Sequence, residues 1–432
     1  MRHKLKQIVL AFYRSKVGFL IWSLLKKVAN NRYIKKILVK LLDYSHLLSL
    51  SEDNVFLDQI CFSANGKNIL VLMPYWGVNA TCMNVMHMCS ALHRIGYTIH
   101  LIVYSQGSTA PSDSIWNYTY TLRPRPQGYS LAHPYGTKTS NLDANLIDDW
   151  VGEDLLSFIR QLDTNCHFEL FLCNYIFFSK TLICFSDKTK KILVTHDVFS
   201  GRNKRLHDLG ITSFFFGTVP GEEKKGVDRA DYIIAVQKKE QLFFESLTDK
   251  PVITLPYVPP KKYLNLPYVG FPLRIGYIAS RNSPNIIAIK ELIRLLKRKK
   301  NIEIYIAGEI SADVEQCPMN VHLLGIVDSL DEFYSGFDLY VNPDIMESGL
   351  KIKTVEAFSY GRPVVCTKEA SIGIDVEKEY HQAGSIKEVV EMVEKCVNNP
   401  KLLAEMAEES KSVYDVFYAA YPIDDIIKKI VF

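Results

Sequence analysis

The sequence predicts an α/β protein with two successive Rossmann-like domains, each a parallel sheet flanked by helices, after a helical N-terminal extension. Three observations indicate this. The chain of 432 residues is too long for one typical core. After residue 65, short apolar runs alternate with stretches of helical periodicity. The alternation starts again after residues 255–272, a segment with five prolines that is typical of an interdomain connection.

The first domain begins with a βαβ unit. Asn68–Met73 (NILVLM) predicts a buried strand, residues 83–94 a helix that ends at Gly96, and Thr98–Tyr104 the next strand. Further apolar runs predict strands at 169–173, 191–195 and 232–236. Residues 105–145 are rich in Ser, Pro, Gly, Tyr and Arg and predict a long irregular insertion.

The second domain repeats this pattern. Leu273–Ile278 and Ile302–Ala307 predict strands, with a helix over 286–297 between them. The other predicted elements are strands at 321–324, 339–341 and Val364–Cys366 and helices at 353–359 and through most of 385–432. The domains are therefore placed at 1–65 for the extension, 66–258, 259–405, and 406–432 for C-terminal helices that cross back to the first domain.

The N-terminal extension is strongly basic. Residues 1–50 carry eleven Lys or Arg and one acid, Asp43, whereas the rest of the chain is net acidic. The longest uncharged stretch, 17–25, is well short of the ~20 residues of a spanning helix, and no signal-peptide cleavage site follows it. We expect basic amphipathic helices that lie on an anionic membrane surface or pack on the protein's own body. Nucleic acid is not an expected partner, because the basic charge is confined to this segment.

The nine cysteines form no Cys-x-x-Cys pair, and their number is odd. This pattern argues against a zinc site and against a disulfide framework. We expect small buried apolar side chains in a cytoplasmic protein, and no metal site.

The loop after Leu273–Ile278 contains the first candidate ligand residues. In open α/β sheets, ligands bind beyond the carboxyl ends of the strands. Ser280 and Arg281 lie in this loop, just before the predicted helix. Backbone N–H groups at a helix start, a hydroxyl and a guanidinium together suit a diphosphate. The alternative is a helix cap beside a solvated Arg281.

Residues 342–373 are the most informative stretch. Gly349 opens a loop, Lys351 and Lys353 follow it, and Glu356 lies in the first turn of the next predicted helix. A glycine allows the backbone to approach a phosphate closely, and a helix N-terminus adds partial positive charge. The lysines can neutralise charge on a leaving diphosphate. The Glu356 carboxylate can accept hydrogen bonds from two vicinal sugar hydroxyls.

These residues resemble a known family. Residues 349–353 (GLKIK), 356–357 (EA) and 361–365 (GRPVV) are similar to the donor-binding signature of glycosyltransferase family 4, which contains retaining enzymes of the GT-B fold. Shorter similarities extend over most of residues 273–373. The resemblance implies two Rossmann-like domains that face each other across a cleft, with the acceptor on the first and the donor on the second. It also implies metal-independent sugar transfer from a nucleotide sugar, with no cofactor.

The resemblance assigns roles to individual residues. Glu356 matches the acid that binds the nucleotide's ribose. The donor-binding set is Ser280, Arg281, Gly349, Leu350, Lys351, Lys353 and Glu356. Many members place another glutamate eight residues before the ribose-binding one, but this chain has Ser348 there and Glu347 one position early. We retain Glu347 as a catalytic candidate; the alternative is a solvated loop acid.

The first domain contributes further candidates. His196 and Asp197 follow a predicted strand and resemble a loop that reaches the transferred sugar in some members. An imidazole can donate or accept a proton near neutral pH, and Asp197 could orient it; the alternative is a structural turn. Tyr75, Trp76 and Gly77 follow the first strand and are expected to face the cleft, against the acceptor or the donor phosphates.

The sequence therefore predicts a hexosyltransferase-type glycosyltransferase that acts on a glycan or lipid-linked acceptor. We expect it in the cytoplasm, peripherally on the inner face of the membrane, in cell-surface polysaccharide assembly. The open alternatives are a nucleotide-sugar epimerase or hydrolase on the same fold, and a non-catalytic membrane-tethered binding protein. A nicotinamide dehydrogenase and a P-loop nucleoside triphosphatase are disfavoured because their glycine-rich motifs do not occur.

Overall fold

The structure is a computed structural model. It describes residues 67–432 except 78, 106–110, 112–114, 123–141, 213–215, 265–269 and 316. The extension predicted over 1–65 lies outside the described residues. The described residues belong to one compact unit, to which the following description applies.

Seven strands form the first sheet: β1 (Asn68–Met73), β2 (Thr98–Tyr104), β3 (Tyr118–Leu122), β4 (Leu170–Asn174), β5 (Lys190–Val194), β6 (Tyr232–Ala235) and β7 (Val252–Thr254). All neighbours are parallel, in the order β3-β2-β1-β4-β5-β6-β7. β1 and β4 are buried along their whole length. Such continuous apolar strands are expected where helices cover both faces of a parallel sheet.

The helices of the first domain are α1 (Ala80–Arg94), α2 (Glu153–Cys166), α3 (Arg202–Asp208), α4 (Pro220–Val227) and α5 (Lys238–Glu245), with 3-10 helices at Ile147–Trp150 and Ile176–Cys184. α1 begins where the Asn79 side chain accepts a hydrogen bond from the Cys82 N–H at 3.0 Å, which satisfies one free donor of the first turn. Its apolar residues, such as Val85 and Leu92, are buried in the core of the first sheet.

The second sheet contains β8 (Leu273–Ile278), β9 (Ile302–Ala307), β10 (Val321–Gly325), β11 (Leu339–Asn342) and β12 (Val364–Cys366). Its strands are parallel, in the order β10-β9-β8-β11-β12. The accompanying helices are α6 (Ser283–Leu296), α7 (Leu330–Ser335), α8 (Ile352–Ser359), α9 (Ile386–Cys396) and α10 (Pro400–Ala420). In each sheet the strand order reverses beside its first strand, between β1 and β4 and between β8 and β11. Ligands bind at such switch points.

The C-terminal helix α11 (Ile423–Val431) packs on the first sheet rather than on the second. Ile427 and Ile430 are buried in the same core as β1. The Lys190 ammonium donates to the carbonyls of Ile430 and Val431 at 2.8 Å each, where a cation complements the C-terminal end of the helix. The chain therefore returns to the first domain after completing the second.

The predicted fold class of two parallel sheets covered by helices is confirmed. The prediction of a wholly irregular 105–145 segment is wrong at β3. This edge strand pairs with β2, but its sequence YTYTL lacks a continuous apolar run because its side chains are only half-buried or exposed. The expectation of buried cysteines without a disulfide is wrong at Cys317, which is exposed, at Cys184, which is half-buried, and at Cys166, which is disulfide-bonded. Cys61 lies outside the described residues. No helix among the described residues is both long and apolar enough to cross a membrane.

Candidate active site

The loops after β8, β9 and β10 pack closely at the carboxyl edge of the second sheet. Gly308, which follows β9, has a φ of 89°, and a Cβ at this position would collide with the carbonyl oxygen of Ala279. The Gly308 N–H donates to the carbonyl of Gly325 at 2.6 Å. Glycine is required at this contact because only a residue without a side chain allows the two backbones to approach so closely.

Two lysines share one buried carboxylate at the start of α8. The Lys353 ammonium lies 3.4 Å from one Asp344 oxygen, and that of Lys351 lies 3.9 Å from the other. Burial alone would raise the pKa of Asp344, but Lys353 and Lys351 together hold the pKa below its ordinary value. Burial also lowers the pKa of Lys353, against the opposing effect of Asp344. We call Asp344, Lys351 and Lys353 the lysine cluster; two cations and one anion give it a net positive charge.

Asn285 joins the lysine cluster to the loop after β8. Its side-chain oxygen accepts a hydrogen bond from the Lys353 ammonium at 2.8 Å, and its amide nitrogen donates to the Ser280 carbonyl at 3.0 Å. Asn282 caps α6 by accepting from the Asn285 N–H at 2.9 Å. The structure thus brings Ser280 and Lys353 to one place through an amide that the sequence analysis did not include in the site.

Arg281 pairs with Asp313 rather than with the carboxylate of the lysine cluster. Its guanidinium is 61% exposed and pairs with Asp313 at 2.9 Å, so part of its charge is already neutralised. Leu350 is half-buried and packs against the apolar core of the second domain. Among the described residues, the ammonium groups of the lysine cluster bond instead to Asn285, Asp344 and Ser348.

Glu356 lies one turn into α8, as its spacing predicts. Its carboxylate accepts a hydrogen bond from the Tyr334 hydroxyl at 3.1 Å. Burial raises the pKa of Glu356 to about 7, against the lowering effect of that hydrogen bond. The group can therefore change protonation near neutral pH when a ligand supplies new hydrogen-bond donors.

Gly349 and Glu347 lie in the loop between β11 and α8. Gly349 has a φ of 70°, a conformation that disfavours other residues. The Glu347 side chain is 60% exposed and pairs with Lys239 of the first domain at 3.3 Å. Its catalytic role stays a prediction, and its position is that of a solvated loop acid.

His196 follows β5 and is held by Asn174 rather than by Asp197. Its Nε2 lies 2.8 Å from the Asn174 side-chain oxygen, and the Asn174 amide donates to the Leu72 carbonyl at 3.0 Å. This network assigns the imidazole proton to Nε2 and leaves Nδ1 as an acceptor. Burial lowers the pKa of His196 to about 3, so the ring is neutral. Asp197 instead accepts from the Arg202 guanidinium at 3.2 Å.

Two residues at the carboxyl edge of the first sheet have strained backbones. Tyr175, after β4, has a φ of 73°, and His196 has a φ of 62°. Their rings lie 4.6 Å apart. Such conformations cost free energy in non-glycine residues and are concentrated at functional sites. Both lie beside the switch point of the first sheet.

The loop after β1 is anchored to the same edge. The Tyr75 hydroxyl lies 2.7 Å from that of Tyr175, and burial raises the pKa of Tyr75. Trp76 packs edge-on against Trp116 with ring centroids 5.1 Å apart. Gly77 is exposed. Tyr75 therefore lies in the cluster around His196, whereas Trp76 packs against the core of the first sheet.

Comparison with known proteins finds a family that resembles the second domain. Residues 273–399 match the family model described as Glycosyl transferases group 1. This match shows that the second domain is similar to that family. The predicted resemblance is thereby confirmed. No curated protein matches the sequence.

Solved structures share the whole two-domain architecture of this glycosyltransferase fold, GT-B. Sucrose-phosphate synthase from Thermosynechococcus elongatus is similar with a TM-score of 0.62 and 13% identity, over 84% of this chain and 98% of that one. HepE from Anabaena, in complex with UDP and glucose, is similar with a TM-score of 0.56 and 14% identity, over 84% of this chain and 98% of that one. TarM from S. aureus, as a mutant in complex with Fondaparinux, alpha-GlcNAc-glycerol and UDP, is similar with a TM-score of 0.57 and 12% identity. This similarity also covers 84% of this chain and 98% of that one.

The first domain also contains a buried acid that the sequence analysis did not include in the site. Glu223, in α4, accepts hydrogen bonds from the N–H groups of Phe199 and Ser200 at 2.9 and 3.0 Å. Burial raises the pKa of Glu223 to about 7. The acid thus fixes the loop that follows His196. Within the described part of the chain, no group of three or more His, Cys, Asp or Glu is placed to hold a metal.

Proposed function

We propose that this chain transfers a sugar from a nucleotide diphosphate sugar to an acceptor hydroxyl. The lysine cluster carries the proposal. It places two ammonium groups at the N-terminus of α8, at the switch point of the second sheet, with Glu356 one turn further along. A family match over the same residues supports this assignment.

The charges of the lysine cluster suit a leaving diphosphate. The bond between sugar and diphosphate breaks as negative charge grows on the leaving oxygen. Fixed cations and a helix N-terminus stabilise that charge without reorganising. Lys351 and Lys353 together exceed the charge of Asp344 and supply this stabilisation. In the proposed complex, Glu356 accepts hydrogen bonds from the ribose hydroxyls.

Uridine diphosphate sugars are the donors that we propose to test first. HepE was solved with UDP-glucose, and the pneumococcal O-GlcNAc transferase GtfA with UDP and GlcNAc. Transfer with retention and without a metal ion is part of the proposal and follows from the resemblance. The lysines then provide the positive charge at the diphosphate.

The proposed acceptor is a glycan or a lipid-linked glycan at the inner face of a membrane. The neutral imidazole of His196 offers Nδ1 as a hydrogen-bond acceptor for an acceptor or donor hydroxyl. The complex of TarM with alpha-GlcNAc-glycerol supports a hydroxylated acceptor in a protein of this fold. The basic residues 1–50 support an anionic membrane surface as a partner.

Thermal shift against UDP, GDP and ADP tests the donor site. A nucleotide at one hundred times its dissociation constant stabilises the folded protein by about 2.7 kcal/mol. We expect this stabilisation in the wild type and in the control Lys387→Met, whose side chain is 78% exposed on α9, and its loss in Lys351→Met. No shift with any of the three nucleotides would contradict the proposal.

Product analysis separates transfer from the alternatives. Incubation with a nucleotide sugar should release nucleotide only when an acceptor is present. Release of free sugar without acceptor would indicate a hydrolase, and an isomerised donor would indicate an epimerase.

A further inference from the structure

The start of α5, in the first domain, binds both polar backbone groups of Gly349. Gly349 lies in the loop between β11 and α8, which we call the donor loop. The Gln237 amide donates to the Gly349 carbonyl at 3.4 Å, and one Glu240 oxygen, Oε1, accepts from the Gly349 N–H at 2.9 Å. Gln237 and Glu240 are 2% and 3% exposed, respectively. A single residue of the second domain is therefore held through both its N–H and its C=O by the first domain.

The surrounding geometry is built for this contact. Gly349 makes this contact in a left-handed conformation, which disfavours other residues. Gly373, on a neighbouring loop of the second domain, has no side chain where a Cβ would lie 2.9 Å from the Gln237 Cβ. The exposed pair between Lys239 and Glu347 spans the same junction but contributes little, because solvent screens it.

Glu240 is an unusual choice for a purely structural contact. Its second oxygen, Oε2, is buried and has no hydrogen-bond partner among the described residues. The charged groups that face its carboxyl are Asp197, from the loop after β5, and Lys351, from the donor loop. Leaving a buried oxygen unpaired costs free energy, so an apolar residue would stabilise this position better if packing were its only role.

The contact lies directly beside the lysine cluster. Gly349 precedes Lys351 by two residues, and the Lys351 ammonium donates to the carbonyl of Ser348 in the same loop. The position of the Gly349 peptide therefore sets where Lys351 can lie. A movement of one domain relative to the other would therefore shift Lys351 through the Gly349 peptide.

We propose that Gln237 and Glu240 are positioning residues that form an interdomain latch on the Gly349 peptide and thereby set the position of Lys351. The link to the donor rests on the proposed function; the latch itself does not. Neither residue touches the reacting atoms, and both act through Gly349.

The latch should weaken as the pH rises. Burial, reinforced by Asp197, raises the pKa of Glu240 to about 8, so the carboxyl is protonated near neutral pH in the closed structure. A solvated Glu240 releases this proton at lower pH. The closed state therefore binds a proton that the open state lacks. The free energy that this proton contributes to the closed state is lost as the pH rises to about 8.

Hydrogen exchange of the Gly349 amide, followed by mass spectrometry, tests the latch without a nucleotide. Loss of the acceptor in Glu240→Ala should speed this exchange about tenfold. Glu240→Gln keeps an acceptor oxygen and should retain the protection. The matched control Glu245→Ala removes an exposed acid at the other end of α5 and should behave as the wild type.

Two further results decide the proposal. Between about pH 6 and about pH 9, the protection factor of the Gly349 amide should fall in the wild type and stay constant in Glu240→Gln. This comparison of the wild type with Glu240→Gln still tests the latch if Glu240→Ala does not fold. Unchanged exchange in a folded Glu240→Ala, or the same pH dependence in Glu240→Gln, would overturn the latch.

Nucleotide binding then separates the latch from the proposed function. If the latch sets Lys351, Glu240→Ala should bind UDP about tenfold more weakly and Glu240→Gln should bind as the wild type does. Faster exchange with unchanged UDP affinity would overturn the link to Lys351. A wild type that binds no nucleoside diphosphate, but shows the exchange effects, would leave the latch standing and remove the proposed function.

Discussion

Removal of Lys353 should destabilise the second domain and weaken donor binding through two separable effects. The Lys353 ammonium lies 3.4 Å from an Asp344 oxygen and 2.8 Å from the Asn285 oxygen, and the Lys353 and Asp344 side chains are only 16% and 7% exposed. Lys353→Met keeps the side-chain length and removes the charge. Among the described residues, the cation that remains beside Asp344 is then Lys351, at 3.9 Å.

The expected loss of stability follows from these distances. At 3.4 Å and an effective dielectric constant of about 20, two unit charges attract by about 5 kcal/mol. Burial of the lysine offsets part of this attraction. Removing one partner of a buried pair costs about 3–5 kcal/mol in proteins, because the other charge stays buried without compensation. We therefore expect Lys353→Met to lower the free energy of unfolding by about 3 kcal/mol.

The double variant Asp344→Asn/Lys353→Met is the matched control. Urea unfolding should show that it regains part of the lost stability, because the Asp344 carboxylate is no longer buried without Lys353, whereas Lys351 loses its anion and keeps its hydrogen bond to the Ser348 carbonyl. Calorimetric titration with UDP should show that neither variant regains nucleotide affinity. A Lys353→Met protein as stable as the wild type would refute the buried-pair argument, and wild-type UDP affinity in the double variant would refute the role of Lys353 at the diphosphate.

Three further perturbations test other parts of the site. Titration of UDP near pH 6, in buffers of different ionisation enthalpy, should show that the wild type releases close to one proton more than Glu356→Gln, because ribose hydroxyls lower the Glu356 pKa from about 7. The terminal phosphate of UDP also titrates near this pH and contributes equally in both proteins. Equal proton release in the two proteins would contradict the ribose assignment. Glu223→Ala leaves two backbone N–H groups unpaired and should lower unfolding stability by about 2–4 kcal/mol in urea; a change below about 1 kcal/mol would show that water replaces the carboxylate. Arg281→Ala should change the free energy of unfolding by less than about 1 kcal/mol. It should weaken UDP binding several-fold at low salt and less at high salt, because salt screens the charge. If Arg281→Ala binds UDP at low salt as tightly as the wild type does, Arg281 is not part of the site.

Buried strands and helix starts were predictable because they depend on local pattern. The nearly continuous apolar run of β1 defines that strand to the residue, and the run of β8, LRIGYI, does so although it contains Arg274. β3 was missed because an edge strand is exposed on one side and carries a polar sequence. β7 was missed because three residues are too few to show a period.

The candidate site was predictable where one short segment carries it. Gly349, Lys351, Lys353 and Glu356 lie within eight residues, so their spacing on a loop and a helix start is visible in the sequence. Asn285 carries no such signal, because its contact with Lys353 joins residues that are 68 positions apart. The partnership of His196 with Asn174 was likewise not predictable, because the neighbouring Asp197 is the nearer candidate in sequence but turns towards Arg202.

Glu240 shows most clearly what local pattern omits. It lies on a short helix that carries both lysines and glutamates, a composition typical of exposed side chains. Its burial arises from a contact with Gly349, 109 positions away, across the junction of the two domains. Only the arrangement of both sheets brings these residues together.

A crystal structure of the protein with bound UDP tests the central claim most directly, because it requires no knowledge of the acceptor. We expect the diphosphate within hydrogen-bonding distance of the Lys351 and Lys353 ammonium groups, at the N-terminus of α8, with the ribose hydroxyls on Glu356. A nucleotide bound instead at the edge of the first sheet, beside Tyr75, would contradict the assignment of the donor site.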